Sequence, residues 1–191
     1  TILTQSTGEI LLGGYCGFKF CIARFNSNGT LDTTFNNPAG TNPIPGYNII
    51  DVGSGNDFSH QGSTTILPSS GKILMGGYCQ NPNNNFCLVQ LNQDGTLDNS
   101  FNGTGKAFFD LTSDQEYAYS LLREPSGKIL LGGYCNKDIG DGSGTDHHFC
   151  VARIDISNPT PSLDSSFNST GESFLNITSG PNTEDQIFSL A

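Results

Sequence analysis

The chain has 191 residues, enough to bury a real core, and its composition is turn-rich, with 24 Gly, 9 Pro, 13 Phe, 6 Tyr, a single Met and 14% charged residues. Long helices want Ala, Leu, Glu and Lys, so this balance points to an all-β protein. Eight basic residues against eighteen acidic ones give a net charge of −10, which repels phosphate backbones and anionic lipid; nucleic acid is excluded as a partner, and the acidity reads as solubility.

No apolar run approaches the roughly 18 residues that would cross a bilayer, so membrane insertion is not expected. The chain opens at Thr1 with neither an initiator Met nor a signal-like segment, which reads as processed or excised material.

Three stretches repeat in chain order: Gly8 to Cys16 (GEILLGGYC), Gly71 to Cys79 (GKILMGGYC) and Gly127 to Cys135 (GKILLGGYC). Each is followed by a second block, Phe20 to Asn26, Phe86 to Asn92 and Phe149 to Asp155, and then by a third, GTLDTTFN from Gly29, GTLDNSFN from Gly95 and SLDSSFN from Ser162. The starts lie 63 and 56 residues apart. Units of that size, made of short apolar runs separated by turn residues, read as four strands each. In the middle of the chain, Lys106 to Leu111 closes one unit, Tyr119 to Arg123 opens a hairpin, Pro125 to Gly127 turn it, Lys128 to Tyr134 return, and Phe149 to Ile154 make the next strand. The units run approximately 8–70, 71–126 and 127–191, with 1–7 completing a split unit. Small repeated sheets of this kind must bury their faces on one another, which predicts three tandem four-stranded antiparallel units stacked as β-propeller-like blades. Alternation and turns do not by themselves fix how sheets pack, so a sandwich is the alternative.

The combination GKILLGGYC, FCVAR and GTLDxSFN resembles the delta-60 repeat family, across all three units. That resemblance implies a propeller-like fold and attaches no catalytic residues. Val89-Gln90 departs from the Ala-Arg of the other two units, and the paired cysteines are an addition to the family pattern.

The six cysteines fall two per unit with gaps of 4, 7 and 14 residues between fixed flanks. Metal ligands must converge on one ion and so keep their internal spacing, whereas a disulfide across a hairpin tolerates any loop beyond it. Bridges Cys16–Cys21, Cys79–Cys87 and Cys135–Cys150 are therefore expected, at directly opposed positions of adjacent strands. They place the protein outside a reducing cytosol, extracellular or at a cell surface.

N-glycosylation sequons begin at Asn28, Asn102, Asn168 and Asn176, with Asn102 and Asn168 favoured by their equivalent turn positions. In the third block Leu31, Leu97, Leu163, Phe35, Phe101 and Phe167 read as core anchors. Asp32, Asp98 and Asp164 read as turn caps, with Arg24 and Arg153 as ion-pair partners for the first and last; a repeated cation or sugar site is the alternative. The loop from Asn136 to Phe149 concentrates Asp138, Asp141, Asp146, His147 and His148 among glycines. Calcium is the one cofactor it suggests, but the acids depart from the D-x-D-x-D-G pattern and no terminal Glu follows, so a solvated loop is preferred and no cofactor is expected.

Three His, no Gly-x-Ser-x-Gly, no His-Glu-x-x-His and no phosphate-cradling glycine motif argue against an enzyme. The expected function is a non-enzymatic extracellular structural or interaction protein, a disulfide-pinned, glycosylated repeat scaffold. The alternative is a lectin, with Tyr15, Tyr78 and Tyr134 stacking on sugars. Its expected partners are copies of itself or adjacent repeats, because Leu190-Ala191-Thr1-Ile2 aligns without a gap on Ala118 to Leu121. That alignment predicts a split unit completed in a ring or filament; excision from a longer chain and a closed three-unit ring are the alternatives.

Overall fold

The computed structural model describes residues 1–37, 45–60, 63–137, 146–176 and 189–190. Among them there is no helix, and so none long and apolar enough to cross a membrane. The fold is all-β, in three antiparallel sheets that do not close on themselves. Sheet 1 has the order β1 (Ile2–Thr4), β2 (Ile10–Cys16), β3 (Lys19–Phe25), β4 (Tyr47–Ile50). Sheet 2 sets β5 (Asp57–Phe58) and β6 (Thr64–Ile66) side by side along β7 (Ile73–Gln80), followed by β8 (Asn84–Leu91) and β9 (Lys106–Phe109). Sheet 3 runs β10 (Glu116–Arg123), β11 (Ile129–Lys137), β12 (Asp146–Asp155), with β13 (Ser162–Leu163) and β14 (Glu172–Leu175) both on β12.

Two sheets thus hold five strand segments rather than the four expected. In sheet 2 the first strand is interrupted after Phe58 and resumes at Thr64; in sheet 3 the same place is a bulge between Ala118 and Ser120. The short β13 has its counterparts in the single bridges Phe25 to Leu31 and Leu91 to Leu97. β10 begins three residues before the predicted Tyr119, because the bulge breaks the alternation from which the strand start was read.

Sheet 2 lies between the other two and is buried on both faces. Ile73, Met75, Val89 and Leu91 pack toward Leu11, Phe20 and Ile22 of sheet 1. Leu74, Phe86 and Leu88 pack toward Leu121, Ile129 and Leu131 of sheet 3. Alternate residues of one strand therefore serve two seams, which is why β7 and β8 read as nearly continuous apolar runs.

The Gly-Gly pair sets the approach of neighbouring strands. A Cβ on Gly13 would lie 2.5 Å from Thr64 Oγ1, and one on Gly76 would lie 2.7 Å and 2.9 Å from Leu131 and Leu121. The second glycine faces its own sheet's first strand: a Cβ on Gly77 would fall 2.0 Å from the Phe58 carbonyl, and on Gly133 1.8 Å from that of Tyr117. No side chain fits there.

Leu190 sits over Gly132, and its N–H donates to Ser120 Oγ at 2.9 Å. Leu121 and Thr64 occupy the matching places over Gly76 and Gly13, and Ile2 pairs with Leu12 as Leu121 pairs with Leu131. Ser189-Leu190 is therefore equivalent to both Ser120-Leu121 and Thr1-Ile2. The gap-free head-to-tail alignment is corrected: the two ends overlap in register rather than abut.

Candidate functional site

The turn aspartates are built into the sheets. Asp32 Oδ1 accepts from the N–H (2.9 Å) and hydroxyl (2.7 Å) of Thr34, while Arg24 Nε donates to Oδ2 at 2.7 Å. Asp164 repeats this with Ser166, and its Oδ2 accepts from Arg153 Nε at 2.7 Å and pairs with Lys128 Nζ at 2.8 Å. In the middle unit, where Gln90 stands for the arginine, Asp98 Oδ2 accepts from Gln90 Nε2 and Lys72 Nζ, both at 2.6 Å. The first unit carries Glu9 at the lysine position. Burial opposes the charge of Asp32 and Asp98, yet the donors outweigh it and hold both below the usual carboxylate range. Asp164 is held down by Lys128 and Ser166 against burial, with Arg153 adding to them. Carboxylates so fully occupied by internal donors have little capacity left for a ligand.

Of the leucines of these turns, Leu97 and Leu163 pack against the two core clusters as expected, and Leu31 is the correction. Leu31 is 39% exposed and Leu97 and Leu163 are half-buried, whereas Phe35 (0%) and Phe101 (2%) are core. Each leucine also lies against a glycine in the left-handed region, at Gly46, Gly105 and Gly171. Phe35 reaches the next sheet, where a Cβ on Gly95 would meet its ring at 2.5 Å. Phe167 is half-buried.

All three disulfides are present, with Cα separations of 5.5, 6.0 and 5.8 Å. The cysteines are diagonal rather than directly opposed: Cys16 faces Lys19 and Cys21 faces Gly14, and the other sheets repeat this at Asn85 with Gly77 and at His148 with Gly133. The glycine across from the second cysteine leaves that face clear for the bridge to lean along the strand.

Tyr15, Tyr78 and Tyr134 belong to a row of rings running across the sheets. Tyr15 meets Phe58 of sheet 2 (centroids 5.0 Å), Tyr78 meets Phe58 (5.1 Å) and Tyr117 of sheet 3 (4.8 Å), and Tyr134 stacks on Tyr117 (4.6 Å) with His147 beyond (4.4 Å). Burial pushes the Tyr78 and Tyr134 hydroxyls up from their ordinary range. Tyr15 (51%) and Phe18 (57%) keep exposed rings.

Asp138 and Asp141 lie outside the described residues, as does the Asp146 side chain; the Asp146 backbone pairs with Lys137 at the start of β12. His148 is buried beside the third disulfide. Among the described residues no group of three His, Cys, Asp or Glu could hold a metal ion. The sequons differ in their hydrogen bonding. Asn102 Nδ2 donates to the Lys106 carbonyl (2.9 Å) and Asn168 Nδ2 to that of Glu172 (3.0 Å), both with positive φ. Asn28 uses its Oδ1, accepting from the Thr30 N–H and hydroxyl. Asn176 is half-buried.

Two buried acids were missed from sequence. Asp57 accepts from the N–H groups of Val52 and Gly53, and Glu116 from those of Leu111 and Thr112, so each ties the end of one sheet to the first strand of the next. Their shared signal is an acid followed by an aromatic and a small residue (Asp57-Phe58-Ser59, Glu116-Tyr117-Ala118) after a Gly- or Ser-rich turn. Burial pushes the Glu116 carboxyl up to about 7, against the donors of Thr112.

These units match a known family model. Its description is "Domain of unknown function (DUF5122) beta-propeller", and it matches residues 5–35 and 69–101. Both stretches run from the hairpin turn through the Gly-Gly strand to the aspartate lock, in the first and second units. The match supports a β-propeller repeat family, and on that basis the three sheets are described below as blades. No curated protein matches the chain.

Proposed function

We propose that this chain is a non-enzymatic extracellular scaffold of delta-60 type, a disulfide-pinned and glycosylated protomer of a ring or filament. The observation that carries the reading is where the chemically capable residues are used. In every blade the turn aspartate is occupied by internal donors, and the cysteines are joined. What varies between blades is the loop beyond each disulfide, where scaffolds meet partners. Disulfides of this kind suit an oxidising compartment.

A lectin is the second reading, favoured by the exposed rings of Tyr15 and Phe18. Light scattering of the oxidised full chain, together with a glycan array, separates the two. The scaffold reading expects particles larger than one chain and an empty array. A monomer that binds glycans through Tyr15 overturns it.

A further inference from the structure

Arg123 breaks the repeat. By strand register its place belongs to Thr4 in blade 1 and to Ile66 in blade 2, so a guanidinium stands where the pattern carries a β-branched side chain. A departure from a local rule without an evident structural gain points to function. Every other lysine and arginine of the chain has an internal partner: Lys106 donates to the Asp51 carbonyl at 2.6 Å, and the rest ion-pair with Asp or Glu. Among the described residues Arg123 has neither a hydrogen bond nor an ion pair, in a chain with eighteen acids and a net charge of −10.

Arg123 lines a cleft of about 300 Å³ between the hairpin turns of blades 2 and 3. Leu67 of blade 2 and Ile156 of blade 3 also line it, and both pack against the core of that seam. The first seam shows why this space is open. There Arg24 of blade 1 crosses to blade 2, where its Nη1 donates to the Gln93 carbonyl at 2.9 Å. Blade 2 carries Gln90 at that position, and Gln90 Nε2 turns to Asp98 instead. Ile156 is the counterpart of Gln93, and among the described residues no side chain crosses to its carbonyl.

We propose that this cleft binds a small free hydroxy acid, with Arg123 as its anchor. A guanidinium holds a carboxylate through two parallel N–H donors. Lys128 adds no uncompensated charge, since Asp164 and Asp155 hold it at 2.8 and 3.5 Å. A single uncompensated cation selects a monoanion, and the surplus of acids repels longer polyanions. The hydroxyls of Ser69 and Ser157 line the cleft and have no hydrogen-bond partner among the described residues; together with Asp155 they are the donors and acceptors that ligand hydroxyls require. Leu67 and Ile156 supply apolar contact for a carbon chain or ring. The volume stands at the small end of ligand cavities and suits one ring-sized acid.

The site goes beyond the scaffold reading and does not rest on it. It is also separate from the exposed Tyr15 ring, which lies at the disulfide end of the sheets, whereas Arg123 lies beside the hairpin turn. Its failure therefore leaves the scaffold and lectin readings as they stand.

The test is a titration of the isotope-labelled full chain with D-galacturonate, read by NMR at the Arg123 Nε–H and at the Ser126, Gly127 and Lys128 amides. Saturable shifts with a Kd of about 1 to 10 mM are expected. Galactose, which lacks the carboxylate, and acetate, which lacks the hydroxyls, should bind at least tenfold more weakly. Arg123→Ile restores the residue of blade 2 and should abolish the shifts while the melting midpoint is held or raised, so that lost binding is not lost folding. Shifts that persist in Arg123→Ile, or none in the parent up to about 100 mM, overturn the site. Acetate binding as tightly as galacturonate overturns the hydroxy acid as its class. Tighter binding of tetragalacturonate than of the monomer overturns the free acid as the occupant and makes a polysaccharide the ligand.

Discussion

At the scale of single residues, the buried acids separate into two electrostatic kinds. Asp98 is surrounded by donors and stays charged; Glu116 has donors on one carboxyl oxygen, while Oε2 has no hydrogen-bond partner. A folded-state value of about 7 against an ordinary 4.5 means that folding favours the protonated form. The stability this contributes is fully present below pH 4.5 and is lost as the pH rises through 7. Glu116→Gln keeps the carbonyl that accepts from Leu111 and Thr112 and removes the titration. The variant should therefore gain on the parent between pH 5 and 8, by about 2 to 3 kcal/mol at the upper end. Parallel unfolding curves for the two proteins across that range would remove the assignment. The sequons make a second residue-scale case. Nδ2 of Asn102 and of Asn168 each bonds a backbone carbonyl in a left-handed turn, whereas exposed Asn28 holds its turn through Oδ1 alone. In a eukaryotic secretory host Asn28→Gln should abolish a glycan mass shift. Asn102→Gln should leave the shift in place and lower stability by about 1 kcal/mol for the lost turn geometry. A shift lost with Asn102 and retained without Asn28 reverses this order.

At the scale of strands, the repeated glycine pair tests how the sheets are brought together. In blade 2 the Phe58 carbonyl would stand 2.0 Å from a Cβ on Gly77, and backbone cannot step aside as a side-chain tip can. Gly77→Ala should cost about 3 to 5 kcal/mol. The matching Gly14→Ala meets nothing within 4 Å and should leave the melting midpoint unchanged or raise it by up to about 1 kcal/mol in stability. Equal costs at the two sites would show that the slot plays no such part. The existence and order of the strands were legible because Ile-Leu-Leu/Met-Gly-Gly and Phe-Cys runs carry β signals unaided by context. Less could be read where a contact from elsewhere decides. The bulge at Tyr119 and the break after Phe58 follow from a carbonyl leaning onto glycine, which no local preference announces. The diagonal cysteine pairing depends on hairpin register, which the loop between the two cysteines hides. The Arg24–Asp32 and Arg153–Asp164 pairs could be read, because the third unit repeats the first while the middle one exchanges Arg for Gln. Asp57 and Glu116 were missed because their partners are chiefly backbone N–H groups, which leaves the short acid–aromatic–small order as their one signal in side chains.

At the scale of the molecule, three blades share two seams unequally. Blade 2 contributes both faces, and Ile73, Leu74, Met75, Phe86, Leu88 and Val89 are all fully buried. Blade 3 is buried on the side facing blade 2 and has Leu190 over Gly132 on the other. Blade 1 has one buried face, while Leu12, Tyr15, Phe18 and Ile49 are exposed. In a linear array each unit's stability is its own contribution plus that of its neighbouring interfaces, so the middle unit has two such terms. A local opening of blade 1 disrupts one seam, but opening blade 2 disrupts both. The short disulfide loops, each worth about 2 to 3 kcal/mol in the chain-entropy picture, occur once per blade and do not change the ranking. Native-state hydrogen exchange of the monomer at low concentration should therefore be slowest at the β7 and β8 amides, intermediate at β11 and β12, and fastest at β2 and β3. Uniform exchange across the three blades would mean that they open as one cooperative body, and would refute the additive picture of the seams.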